Sequence, residues 1–235
     1  MSLPDWSLPD WEMPEWAEAR GRALNHFPAI DPARAALVVI DMQGAFITAG
    51  APFANPRAEA IIPAVNRLAG RFRAARAPVI WTRQSVGPQP PLAMPAWQYD
   101  PADPFVAGAM AALTPGAALH GLHPAMAVAP GDAVIDKYRY SAFLCPAGAL
   151  ARELAARGSE LAARGSELIV IVGTLTNICC ESTARDGNMR GYKVVIAADA
   201  TAAVTAEEER AALLNLRIGF ADVAGVAAIG ARLEG

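Results

Sequence analysis

The sequence predicts an α/β fold in three layers, α/β/α, around a mostly parallel, Rossmann-like central sheet of five or six strands. Two observations carry that prediction. Short apolar runs rich in β-branched residues recur at 36–41, 78–82, 132–137, 168–172 and 192–197, with helical or loop segments between them. Strands that alternate with helices form parallel sheets, and a strand covered on both faces is written as an unbroken apolar run. A third observation concerns the carboxyl ends of the runs. Asp41 ends the first, Lys137 ends the third, and Cys179 lies just past the fourth. Open α/β sheets bind ligands beyond the carboxyl ends of their strands, so these three residues are candidates for one shared cleft.

Composition narrows the function classes. At 235 residues with 54% hydrophobic and 18% charged residues, the chain is long enough for a substantial core and too apolar to be disordered. No apolar run approaches the roughly 20 residues that span a bilayer. The start lacks the basic and apolar regions of a secretory signal, and three cysteines make no disulfide framework, so a cytoplasmic protein is expected. A net charge of −3 without a basic stripe argues against nucleic acid as a partner. His26, His120 and His123 form no ligand pattern, and His120-x-x-His123 reads as a surface pair in a Gly/Pro/Ala loop. No cofactor and no metal are expected.

Residues 1–30 place Trp6, Trp11 and Trp16 at every fifth position among prolines, matching neither strand nor helix period. They read as an extended arm laid on its own or a neighbouring surface, or as an acidic tail. Residues 31–235 read as the single domain. After the strand at 36–41, a Gly/Pro-containing loop runs to Pro56, and 57–76 has apolar residues at helical spacing. The segment 85–130, rich in Pro, Gly and Ala, is too long to be idle and is expected to cover the mouth of the site. Residues 146–167 read as a helix with Pro146 in its first turn. Within it, 154–160 is repeated letter for letter as 161–167, a copy that either lengthens the helix nearly in phase or bulges out. A helix at 205–218 opens on a capping-box spacing, Thr205 to Glu208, and 220–223 reads as an edge strand.

The stretch Gly173 to Asp186 is the most informative. A thiol where a strand gives way to a helix meets unpaired backbone N–H groups and a favourable dipole, so the Cys179 thiolate is expected to be stabilised there, with an oxyanion site beside it. The other reading is a buried structural cysteine. For Asp41 the other reading is a turn former, and for Lys137 a solvated surface charge. Taken together, a carboxylate can accept the thiol proton and an ammonium can steady both anions.

The motifs Val38-Val39-Ile40-Asp41-Met42-Gln43-x-x-Phe46, Asp136-Lys137-x-Arg139-Tyr140-Ser141-x-Phe143 and Gly173-x-x-Thr176-Asn177-x-Cys179-x-Glu181-Ser182-Thr183-x-Arg185-Asp186 together resemble the isochorismatase-like cysteine hydrolases over residues 30 to 225. The resemblance implies a triad of Asp41, Lys137 and Cys179, a cis peptide between Thr174 and Leu175, and an oxyanion hole from the Leu175 and Cys179 N–H groups. It implies cleavage of a C–N bond in a small amide, carbamoyl or ureido compound. A homo-oligomer, dimer or tetramer, is expected, its interface being one of the surfaces open to the N-terminal arm. Phe46, Trp81, Gln84, Arg139, Tyr140, Phe143 and Asn177 are the expected substrate contacts, the aromatics being equally readable as core. Cys180 reads as a buried helix residue and Cys145 matches no motif. The alternatives are an ester or ether substrate, or a thiol-redox or binding role for Cys179-Cys180, which lacks a Cys-x-x-Cys spacing.

Overall fold

The computed structural model describes residues 11–146, 148–157 and 167–234. Trp6 and most of the copied heptad, including its junction at 160–161, lie outside the described residues. In chain order the elements are α1 (Glu15–Leu24), β1 (Ala35–Ile40), the single turn α2 (Gly44–Ile47), α3 (Ile62–Ala74), β2 (Val79–Gln84), α4 (Pro104–Ala112), β3 (Ala133–Lys137) and α5 (Ala149–Arg157). Next come β4 (Leu168–Thr174), a π-helical turn (Thr176–Cys180), α6 (Glu181–Met189), β5 (Lys193–Ala202), α7 (Ala206–Gly219), β6 (Asp222–Ala224) and α8 (Val226–Glu234).

The six strands are all parallel, in the order β3-β2-β1-β4-β5-β6. The chain winds outward from β1 through β2 to β3, then restarts beside β1 with β4. The order therefore reverses between β1 and β4, and that is where a crevice opens at the carboxyl ends. The two strands approach closely here. Ile40 is opposite Gly173, whose φ is +113°, and a Cβ on Gly173 would lie 2.1 Å from the Ile40 carbonyl oxygen. Only glycine fits.

Period-two alternation divides the core into two layers. Leu37, Val39, Val79, Trp81, Val170 and Val172 face Val65, Leu68 and Phe72 of α3 and Val226 and Ile229 of α8. Ala36, Val38, Ile40, Ile80, Ile169 and Ile171 face Leu150 and Leu154 of α5, Ala184 of α6 and Leu213 and Leu216 of α7. Each fully buried Leu, Ile or Val contributes about 1.5–3 kcal/mol, so this double cover is the main source of stability. The three-layer α/β/α architecture is the predicted one.

Several local expectations change. The N-terminal segment is not wholly extended: residues 15–24 form α1, with Pro14 just before it where a missing N–H costs nothing, and with Glu15 and Glu18 in the first turn. The helix is held by tertiary contact with α7. Arg217 donates to both Glu18 oxygens at 2.9 and 2.7 Å and to Asp222 at 2.6 Å, and Gly21 leaves room for the Arg217 side chain. Trp11 packs against the core while Trp16 stays exposed. Within 85–130 the chain forms α4, capped by Asp103, whose carboxylate accepts from the Phe105 and Val106 N–H groups. His120, expected at the surface, is buried with Nε2 2.7 Å from Ser85 Oγ. β5 continues to Ala202, past the predicted end at 197, and the sequence reading contains no counterpart of α8. The capping box is present as predicted: Glu208 N–H donates to Thr205 Oγ1 and Thr205 N–H to the Glu208 carboxylate. Among the described residues no helix is long and apolar enough to cross a membrane.

Candidate active site

Three strand ends place the polar centre. Asp41 leaves β1 with φ at +49°, a left-handed turn that aspartate tolerates better than most residues. Its Oδ1 accepts from Thr82 Oγ1 at 2.6 Å, and its backbone N–H donates to the same hydroxyl at 3.2 Å. Thr82 on β2 thus fixes the carboxylate from both sides. Lys137, the last residue of β3, places Nζ 2.7 Å from Asp41 Oδ2 and donates to Gln84 Oε1 at 2.6 Å and to the Arg139 carbonyl at 3.1 Å. Cys179 Sγ lies 3.4 Å from the same Nζ. The structure therefore brings Asp41, Lys137 and Cys179 together, with the lysine at the centre and both charged side chains fully buried.

The nucleophile candidate sits in the π-helical turn, immediately after a cis peptide between Thr174 and Leu175. Thr183 of α6 reaches back one turn to donate to the Cys179 carbonyl at 2.7 Å and accepts from the Ala142 N–H. Glu209 of α7 accepts from Thr176 at 2.9 Å, from Thr201 at 3.3 Å and from the Ala203 N–H, which pins the start of the turn to the end of β5. Burial raises the Glu209 pKa above the ordinary carboxylate value, against these donors and the nearby Arg57.

The protonation state corrects the sequence reading. Burial pushes the Cys179 thiol up to about 12, and the Asp41 charge adds to that, while Lys137 only partly offsets them. At neutral pH the resting sulfur carries its proton. The expected dipole stabilisation is outweighed because the turn is enclosed and a carboxylate lies beside it. Lys137 goes the other way: burial opposes its charge, yet the Asp41 carboxylate holds its pKa above the ordinary lysine value. The pair at rest is an ammonium and a carboxylate.

Cys179 opens onto a cavity of about 170 Å³. Of the expected contacts, Phe46, Gln84 and Tyr140 line it, as do Leu175 and Cys179. Four others do not. Trp81 is fully buried in the opposite core layer, its Nε1–H donating to Asp132 at 2.8 Å. Phe143 packs on Tyr192, ring centroids 5.4 Å apart, with Arg190 over its face. Arg139 spends its guanidinium on the carbonyls of Tyr138, Pro91 and Ala93. Asn177 shares the turn with Cys179 but is no part of the cavity wall, and its Oδ1 is buried without a hydrogen-bond partner among the described residues.

Sequence reasoning missed most of the wall: Phe53, Val86, Met94, Tyr99, Met110, Leu113 and Ile178. Five of these belong to the 85–130 segment, so that segment does border the site. It also missed Thr82 and Gln43. Gln43 Oε1 accepts from the Gln84 N–H at 2.6 Å and its Nε2 donates to the carbonyls of Gln84 and His120, tying the end of β2 to the covering loop. Gln43 is in the first motif, and Thr82 shares the side of β2 that Gln84 uses; parity along the strand would have found it.

The model of the Isochorismatase domain matches residues 35–228. Ureidoacrylate amidohydrolase RutB from Methylobacterium radiotolerans is 34% identical over 214 residues, covering 85% of this chain and 80% of that protein. A crystal structure of a cysteine hydrolase from Pseudomonas syringae pv. phaseolicola superposes with a TM-score of 0.75 at 28% identity, over 90% of this chain and 97% of that one. N-carbamoylsarcosine amidase from Thermoplasma acidophilum shares the fold, with a TM-score of 0.65 at 23% identity over 82% of this chain and 96% of the other. On the match over β1 to α8, and on the long alignment to a named amidohydrolase, the chain belongs to the isochorismatase-like hydrolase superfamily.

Proposed function

We propose that the protein is a cysteine amidohydrolase that cleaves the C–N bond of a small amide, carbamoyl or ureido compound. The observation that carries this is the placing of a carboxylate, an ammonium and a thiol, with Nζ 2.7 Å from Asp41 and 3.4 Å from Cys179, at the edge of a cavity. The similarity to a ureidoacrylate amidohydrolase supports the bond type, and that to a cysteine hydrolase supports the nucleophile.

Because the thiol is protonated at rest, attack and deprotonation are coupled. Asp41 takes the Cys179 proton as Sγ bonds to the substrate carbonyl carbon, and the carbonyl π electrons move onto oxygen. The N–H groups of Leu175 and Cys179 hold that oxyanion. Collapse re-forms the carbonyl, breaks the C–N bond, and Asp41 gives its proton to the departing nitrogen, leaving a thioester. Water then loses a proton to Asp41, adds to the thioester carbonyl, and the sulfur leaves and recovers the proton. Lys137 stays an ammonium throughout, steadying the carboxylate before attack and the sulfur as it departs from the thioester.

The test is ammonia release from a panel of amides and ureides, with iodoacetamide labelling followed by mass spectrometry. Turnover that disappears in Cys179→Ala, with a responsive amide protecting Cys179 from labelling, is expected. Turnover that survives that substitution would refute the reading.

A further inference from the structure

The cavity beside Cys179 is deeper than a carboxamide alone fills, and its surplus is apolar. Phe46, Phe53, Met94, Met110, Leu113 and Ile178 are among its lining residues, with the two phenyl rings 5.8 Å apart and tilted against each other. The polar groups on the wall are neutral and largely engaged. Gln84 gives its Oε1 to Lys137 and its Nε2 to the Ser85 carbonyl. The Tyr99 and Tyr140 hydroxyls bond to each other, and Tyr140 also accepts from Gln98 at 3.1 Å. Burial and the neighbouring Tyr140 raise the Tyr99 pKa, so the Tyr99 phenol adds no charge.

Cations are near, yet turned elsewhere. Among the described residues no arginine, lysine or histidine lines the cavity. Lys137 sits behind Cys179 on Asp41 and Gln84, and the Arg139 guanidinium holds main-chain carbonyls of the covering segment. A carboxylate entering this space would give up its water and meet no opposite charge, which burial in an apolar site strongly disfavours. An uncharged hydrocarbon group gains from the same transfer. A dry cavity of about 150 Å³ with such walls accommodates a benzene-sized guest, close to the about 170 Å³ here.

We propose that the substrate is an uncharged hydrophobic carboxamide, whose phenyl or branched aliphatic group is seated among Phe46, Phe53, Met94, Met110 and Leu113, and that substrates bearing a carboxylate at that end are rejected. This rests on the amidohydrolase reading. It separates this chain from its relative named for ureidoacrylate, a compound that carries a carboxylate. The specificity-determining feature is the absence of a cation on the wall among the described residues, and Met110 and Phe53 are the positions where one could be supplied.

The experiment compares kcat/KM for ammonia release from benzamide and isovaleramide with that from succinamate and ureidoacrylate, using the full chain. The neutral amides should lead by at least about 100-fold. Met110→Arg and, as a second variant, Phe53→Arg should narrow the ratio of benzamide to succinamate by about tenfold or more, with melting curves confirming that each remains folded. Carboxylates turned over as fast as the neutral amides by the unaltered chain would overturn the inference and leave the amidohydrolase reading standing. Ammonia from neither class would end both.

Discussion

Two buried charge clusters in this molecule look alike by burial and differ in design. Around Arg217, the guanidinium fork meets Glu18 with two bonds, Asp222 with one, and the Asn25 carbonyl at 3.3 Å; Arg232 adds a second bond to Asp222. Every nitrogen of that fork is used, and none of these residues lines the cavity beside Cys179. Around Lys137, the cation is a point charge on a flexible stem, and one of its neighbours is a neutral thiol facing open space. Arginine locks geometry because its donors are fixed in a plane, whereas lysine can follow a charge that moves between oxygen and sulfur. Burial of an ion pair is thus no sign of function in itself; what separates the two is an unspent nucleophile beside a cavity.

That contrast is broken most directly at the sulfur. Cys179→Ala should lower kcat/KM by roughly 10⁴-fold or more, and Asp41→Asn by about 10²–10⁴-fold, measured as ammonia release on a responsive amide. Equal loss from substitutions at the Arg217 cluster would erase the distinction. Next come the cations themselves. Lys137→Met leaves the buried Asp41 carboxylate without its cation and should cost about 3–5 kcal/mol of unfolding free energy in a denaturant titration, whereas Arg217→Met leaves Glu18 with Arg22 and Asp222 with Arg232 and should cost less. Only Lys137→Met should also abolish turnover; the fraction of Arg217→Met that remains folded should keep its kcat.

Titration gives a smaller effect with a definite sign. Burial lowers the His120 pKa below its ordinary value near 6.5, with Arg83 assisting and Asp136 opposing. The unfolded chain therefore binds this proton more readily than the folded one. The stability His120 contributes is present above about pH 6.5 and is lost as pH falls below that value. His120→Gln should flatten the dependence of melting temperature on pH in that window; an unchanged slope would refute the assignment. Cys179 acts at the other end: raised to about 12, it contributes stability that is lost as pH rises from the ordinary thiol range toward that value. Smallest is the α7 cap, whose exposed side chain bonds only within its own capping box, where Thr205→Ala should cost about 1 kcal/mol and leave kcat unchanged.

Legibility in the sequence depended on period and position. Asp41 and Lys137 were readable because each ends an apolar strand, and strand ends are where a parallel sheet holds its ligands. Trp81 was misread although the information was present. It alternates with Thr82, so a strand that turns Gln84 and Thr82 toward Asp41 must turn Trp81 into the opposite core layer. The wall residues Met94, Tyr99 and Met110 lie in a segment without a dominant period, where nothing local says which side chains turn inward. The helix at 15–24 is a case of tertiary contact overriding a weak local signal: its anchor, Arg217, is almost two hundred residues away.

The sequence by itself determined the alternation of strands and helices, the parallel sheet and the three residues that meet at its edge, because each of these is set by side-chain period or the end of a strand. Only the tertiary structure decided that the sulfur rests protonated, that Arg139 faces the covering segment, and that the cavity wall is mostly apolar with no cation among the described residues. Those are properties of a group's surroundings, set by enclosure and by neighbours distant in the chain.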